Sequence, residues 1–231
     1  MRFTSLLAVI ALISLTTAPA GQELRPKPKL GRLPAAKVLF LGNSITLHAP
    51  APEIGWTGHW GMAASEESRD YVHLLTAEIA KATGTRPEIR VRNIAAFERG
   101  YHGFNIAQEF QDELKFQADL VVVAIGENVA ELHTDEVRDQ FSVAFRRLLA
   151  TLQQRGQPTI FVRSSFWPHQ VKDNIMQQAT TEARLTFVDI SRLGNDKSFD
   201  RRRHSNRRCH QSWQFGRAAA RFARTPNRHQ Y

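Results

Sequence analysis

Ser44 is the residue whose type and position most suggest chemistry. It follows the apolar run Val38-Leu39-Phe40-Leu41 and Gly42, and it leads into Ile45-Thr46. A serine just beyond a strand stands near free backbone N–H groups, where its hydroxyl can attack an acyl carbon and the resulting oxyanion can find donors. Turn serines are common without any such role. A second site at a corresponding position changes the weighing: the run Leu120–Ile125 ends in Gly126-Glu127-Asn128. The Asn128 amide can donate to a developing oxyanion, and Gly126 lets the backbone approach a substrate closely. After a further apolar run, Thr159–Arg163, come Ser164, Ser165, Phe166, Trp167, Pro168 and His169.

These residues need elements that bring strand ends together. From Lys37 the chain alternates short apolar runs with longer amphipathic ones, which predicts a parallel sheet with crossover helices. The strands are expected at Lys37–Leu41, Glu88–Val91, Asp119–Ala124, Thr159–Arg163 and Thr186–Asp189. Helices are expected at Tyr71–Thr83, around Ile106–Phe116, at Asp135–Arg155 and at Val171–Ala183. In the third of these, Val137, Phe141, Phe145, Leu148, Leu149 and Leu152 recur at three- and four-residue steps, giving one apolar stripe. Thr134 is placed to cap it, and Gly84 and Gly156 follow helix ends. In such sheets ligands bind beyond the carboxyl ends of the strands, where Ser44, Asn128 and the Ser164–His169 segment all lie. One domain is expected over 37–191.

The ends differ from this body. The opening MRFTSLLAVIALISLTTAPA has the three parts of a secretory signal peptide, with cleavage expected after Ala20. Its apolar run is shorter than the ~20 residues a bilayer span requires. Residues 21–36, with Pro26, Pro28 and Pro34 among Lys27, Lys29 and Arg32, read as an extended linker. The lone cysteine, Cys209, excludes an internal disulfide, so a secreted or periplasmic protein of this sequence relies on its apolar core.

The stretch Val38-Leu39-Phe40-Leu41-Gly42-Asn43-Ser44-Ile45-Thr46 resembles the first block of the SGNH (GDSL-type) hydrolases. Val122-Val123-Ala124-Ile125-Gly126-Glu127-Asn128 is similar to their Gly-x-Asn block. The resemblance covers about Lys37 to Asp189. It implies a flavodoxin-like three-layer α/β/α sandwich with a mostly parallel five-stranded sheet. It also implies a serine esterase or lipase acting on small-molecule or glycan esters, with no metal or organic cofactor. Ser44 would be the nucleophile, and the oxyanion group would comprise the Ser44 N–H, Asn128 and Gly126. Asn43 stands where the family usually has Asp. The family's intermediate block falls at Asn93–Gly100, where Ala95, Ala96 and Gly100 all remain open as the further donor. The Leu47–Asp70 loop, with Trp56, Trp60 and Met62, is read as either an aromatic wall for a sugar or acyl group or a loop packed over the sheet edge.

The family supplies its base as Asp-x-x-His after the last strand. Here the nearest match is Asp200-Arg201-Arg202-Arg203-His204, one residue too long, with three arginines opposing the imidazolium that must form. His204 is nonetheless the base expected, with Asp200 as its orienting carboxylate, ahead of His169 and His210. The net charge of +9 lies in the same region. From Arg192 onward eleven basic residues face only Asp196 and Asp200, so the remainder of the chain is neutral. The shift is read as a slipped reading frame near Lys197, against a polyanion-binding arm or a disordered tail as alternatives. No nucleic-acid partner is expected. The alternative to an esterase is a non-catalytic glycan- or polyanion-binding member of the same fold. A nucleotide site is disfavoured because the Gly42–Thr46 turn lacks a glycine-rich phosphate loop and its lysine.

Overall fold

A computed structural model describes residues 27–154 and 156–195. Five strands form one parallel sheet: β1 (Lys37–Gly42), β2 (Glu88–Asn93), β3 (Leu120–Ala124), β4 (Thr159–Arg163) and β5 (Thr186–Val188). Their spatial order is β2-β1-β3-β4-β5, with every pair parallel. This is the doubly wound order whose direction of winding reverses between β1 and β3. The helices are α1 (Tyr71–Thr83), α2 (Ala95–Gly100), α3 (Ile106–Glu109), α4 (Gln111–Phe116), α5 (Asp135–Gln153), α6 (Gln170–Glu182) and α7 (Ser191–Asn195).

Alternation along β1 divides the apolar core into two layers, because successive strand side chains point to opposite faces. Val38 and Phe40 pack with Tyr71, Val72, Leu75 and Ile79 of α1 and with Ile190 beside α7. Leu39 and Leu41 pack with Phe141, Phe145, Leu148 and Leu149 of α5 and Met176 of α6. Both faces of the sheet are therefore covered, which explains why β1 and β3 read as continuous apolar runs rather than alternating ones. The three-layer α/β/α arrangement implied by the sequence is the one observed.

The element boundaries differ in small, explicable ways. The helix expected around Ile106–Phe116 is broken at Phe110, whose ring is fully buried between α3 and α4. The strand at Glu88 runs on to Asn93 because its register opposite β1 continues to Gly42. A helix absent from the sequence reading, α2, follows it at once. Part of the segment read as linker forms a two-residue hairpin, Lys29–Leu30 with Leu33–Pro34, and Leu30 and Leu33 pack on the α1-side core. Asp119 holds this segment down by accepting from the N–H groups of Ala36 and Lys37 at 2.9 and 3.0 Å.

Helix ends follow the cues expected of them. Thr134 accepts from the Val137 N–H at 3.3 Å, and Gly84 ends α1 at φ +73°. Phe40 carries the α1-side core at the centre of the sheet and meets Tyr71 edge to face at 6.2 Å. Phe40→Ala is expected to lower unfolding stability by about 3–5 kcal/mol in urea denaturation, the usual range for emptying a buried aromatic site.

Candidate active site

The winding reverses between β1 and β3, the place where sheets of this kind bind ligands, and the register sets what stands at its carboxyl edge. Gly42 of β1 lies opposite Ala124 of β3 and Asn93 of β2. Ser44 therefore emerges two residues beyond β1, flanked by Asn128 beyond β3 and by the start of α2 beyond β2.

The turn carrying Ser44 is held from several sides. The Asn43 side-chain oxygen accepts from the Ile45 N–H at 3.0 Å, and its backbone carbonyl accepts from the N–H groups of Thr46 and Leu47 at 2.9 and 3.0 Å. Thr46 shares a 2.8 Å hydrogen bond with the buried Tyr71 hydroxyl of α1. The Ser44 carbonyl accepts from the Met62 N–H at 2.8 Å, which ties the Leu47–Asp70 loop to the turn. A side chain at Gly42 would collide with Thr46 and the Ala124 carbonyl, so only glycine lets the turn close against β3. Ser44 itself is half-buried, and neither its hydroxyl nor its N–H has a hydrogen-bond partner among the described residues.

Beneath the turn lies a buried polar cluster. Asn43 and Glu98 are fully buried, and Asn43 Nδ2 donates to both Glu127 Oε2 at 2.6 Å and Glu98 Oε1 at 3.3 Å. Glu127 also takes the two Arg163 guanidinium nitrogens at 2.7 and 3.0 Å and the Phe166 N–H at 2.7 Å. Burial works to raise the Glu127 carboxyl, but the Arg163 charge and these hydrogen bonds outweigh it and hold it below the usual glutamate range. Glu98 accepts from the N–H groups of Gly126 and Asn128 at 2.7 and 3.2 Å and from Asn128 Nδ2 at 2.8 Å. Asn43 thus stands where an aspartate would place a third carboxylate against two buried ones.

The residues singled out in the sequence are sorted by this geometry. Ser44 and Asn128 come to neighbouring strand ends. Gly126 does not offer its N–H to that edge, since Glu98 has already taken it. Its contribution is backbone shape: φ is +125°, and a side chain would strike Ser165. Of the three further donors left open, the Ala95 N–H is bound to Asn93 Oδ1 at 2.9 Å, and Gly100 closes the far end of α2. The Ala96 N–H, exposed at the start of α2, has no acceptor among the described residues. Trp56 is buried and packs edge to face on Trp60 at 5.3 Å, so it stabilises its own loop and forms no wall for a ligand.

Asp200, His204 and His210 lie outside the described residues. His169 caps α6 and reaches Glu131 at 2.7 Å. Asp70-Tyr71-Val72-His73 has the Asp-x-x-His spacing, with Asp70 Oδ1 2.8 Å from His73 Nδ1, a contact that raises the imidazole pKa. Its other ring nitrogen faces Glu67 at 3.4 Å. No described histidine hydrogen-bonds Ser44. Glu98 and Arg163 have no local signature in the sequence, because their side-chain partners Asn43, Asn128 and Glu127 lie dozens of residues away.

No family model matches the sequence, and no curated protein matches it. Solved structures do. A structure described as a GDSL-like lipase from Bacteroides ovatus superposes with a TM-score of 0.56 at 12% identity, over 82% of this chain and 98% of that one. The acetyl xylan esterase AlAXEase gives 0.52 at 17%, over 80% and 96%. A family two carbohydrate esterase from Cellvibrio japonicus gives 0.52 at 21%, over 82% of this chain and 59% of that one. The chain has the fold of the GDSL-like lipases and carbohydrate esterases. At these identities the likeness speaks for the fold, and the chemistry must be argued from the site.

The cluster makes a sharp demand on residue 43. Asn43→Asp is expected to cost about 3 kcal/mol or more in chemical denaturation at pH 7, the scale for an uncompensated buried charge. Glu127→Gln should cost a similar amount by removing the carboxylate charge that faces the buried Arg163 guanidinium. Because the folded Glu127 pKa is depressed, its stabilisation is complete above the ordinary glutamate pKa and disappears as pH falls through the folded value. Acid unfolding of Glu127→Gln should accordingly show a weaker pH dependence below about pH 4.5, near the unperturbed glutamate value.

Proposed function

We propose that this chain is an exported serine esterase that cleaves O-acyl esters on carbohydrates. The observation that carries the reading is a set of unused donors beside an unused hydroxyl. The Ser44 N–H, the Ala96 N–H and the second hydrogen of Asn128 Nδ2 have no acceptor among the described residues, and all three groups follow the adjoining strands β1, β2 and β3. A preorganised group of N–H donors is what a tetrahedral oxyanion requires.

In this reading the Ser44 hydroxyl attacks the acyl carbon while a histidine takes its proton. The carbonyl oxygen gains the negative charge and accepts from the three N–H groups. The histidine then protonates the departing alcohol oxygen, leaving an acyl group on Ser44. Water attacks that ester by the same route in reverse, releasing the acid and free serine. The base comes from the chain beyond Asn195, with His204 and its partner Asp200 as the sequence candidates. Support for that direction is topological: β5 is parallel to the other strands, so Asp189 emerges at the same edge as Ser44.

Export rests on the tripartite character of residues 1–20. None of the described helices is long and apolar enough to cross a membrane. A carbohydrate substrate is supported by Trp167, which is 46% exposed in the loop after β4 and packs edge to face on Phe166 at 5.3 Å. The Phe166 N–H is bound to Glu127, next to Asn128, so an exposed aromatic face is anchored to the oxyanion loop. Acetyl xylan is the substrate named for one of the structural neighbours. The rival, a non-catalytic glycan- or polyanion-binding protein, draws on the arginine-rich segment after Arg192.

Turnover of p-nitrophenyl acetate by the full chain should fall at least about 10³-fold in Ser44→Ala. Equal rates in the two proteins would sink the esterase reading, and salt-sensitive heparin retention without turnover would favour the rival. Trp167→Ala should raise KM for acetylated xylo-oligosaccharides by about five- to tenfold, as expected for losing an aromatic stacking contact. A smaller rise is expected for p-nitrophenyl acetate; equal changes would refute a sugar platform.

A further inference from the structure

We infer that Glu98 is a positioning residue that fixes which way round the Asn128 amide lies and keeps one of its N–H bonds free for the oxyanion. The inference rests on the esterase reading for its catalytic part. Its structural part rests on Glu98 alone.

A side-chain amide is nearly symmetrical in shape, and its oxygen and nitrogen exchange places by a half-turn about the last side-chain bond. In the wrong orientation Asn128 would present a carbonyl oxygen where an oxyanion must be bound. Glu98 is fully buried, and its carboxylate carries no proton to donate when ionised. Glu98 Oε2 meets Asn128 Nδ2 at 2.8 Å, so the nitrogen lies on the Glu98 side. The reversed amide would set two oxygen acceptors against each other in a buried site, which is costly. On the other side Arg99 Nη2 reaches Asn128 Oδ1 at 3.4 Å, consistent with the same orientation. One Nδ2 hydrogen is thereby used and the other remains.

Glu98 grips the backbone as well. Its Oε1 accepts from the Gly126 and Asn128 N–H groups, the two that flank the Glu127 peptide unit in the tight turn after β3. The same short helix, α2, carries the free Ala96 N–H two residues earlier. The donor following β2 and the donor following β3 are therefore coupled through one side chain. A glutamine at 98 would turn an N–H toward one of four donors already present, and the cheapest relief is rotation of Asn128.

Side-chain amide NMR on the full chain tests the structural part directly. In the parent, one Asn128 Nδ2 proton should be shifted downfield and protected from exchange, and Glu98→Gln should abolish this. Two Asn128 protons at free-amide shifts in the parent, or a spectrum unchanged by Glu98→Gln, would overturn the inference without any need for activity. For p-nitrophenyl acetate, Glu98→Gln should lower kcat about 10²-fold, the scale for losing one oxyanion donor, with KM within about twofold. The double variant Glu98→Gln with Asn128→Asp reverses donor and acceptor between the same atoms. It should regain thermal stability relative to Glu98→Gln yet stay inactive, because a carboxylate cannot donate. Recovery of activity along with stability would show that Asn128 supplies no catalytic hydrogen bond. If the parent shows no Ser44-dependent turnover, the esterase reading fails, and the amide spectrum decides the Glu98–Asn128 part.

Discussion

Two carboxylates buried beneath one strand edge constrain everything around them. Glu98 and Glu127 share the Asn43 amide, and only Glu127 has a bidentate guanidinium partner in Arg163. Buried charge survives in a protein only when it is paired or richly hydrogen-bonded. Glu127 meets this requirement chiefly with Arg163, and Glu98 meets it with N–H groups from the turn after β3 and with amide hydrogens from Asn43 and Asn128. The shape of the Ser44 turn, the backbone of the Gly126–Asn128 loop and the Phe166 turn all follow from this arrangement. The asparagine at position 43 is one consequence: a donor is required there, and Asn supplies two N–H bonds while its oxygen still closes the turn on Ile45.

The sheet is what makes such a cluster affordable. With both faces of β1 and β3 packed against helices, the strand ends are held at fixed spacing where the winding reverses. Rigid strands supply position, and the polar groups beyond their ends are held by it. The loop from Leu47 to Asp70 adds a second constraint by binding the Ser44 carbonyl, which leaves the serine N–H and hydroxyl as the unused groups of that residue.

Much of this was legible in the sequence because its signals are local. Val38–Leu41 and Val121–Ala124 are apolar on both faces, so they announced buried parallel strands, and the residues after them announced Ser44 and Asn128. The α5 stripe and the Thr134 cap were equally plain. What escaped depends on contacts between distant positions. Ala95–Gly100 is too short for helical periodicity to register, and it begins where the Ile94 N–H bonds the Gly42 carbonyl across the sheet. Glu98 looks like a surface charge until α2 turns it inward. Trp56 was open to two readings, a wall for a ligand or part of a packed loop, and its burial beside two short bridges, His48 with Trp60 and Ala51 with Trp56, favours the second. The Asp70–His73 interval falls at a helix start, where the buried Asp70 caps α1 and holds the His73 ring.

The central claim is that this strand edge makes Ser44 a nucleophile facing unused N–H donors. Reaction of the full chain with a fluorophosphonate, followed by intact-mass measurement and peptide mapping, tests it most directly, because the trapped phosphonyl group needs both the attacking hydroxyl and the oxyanion donors. The account predicts a single adduct on the peptide bearing Ser44. An unmodified protein, or an adduct carried by another residue, would contradict it.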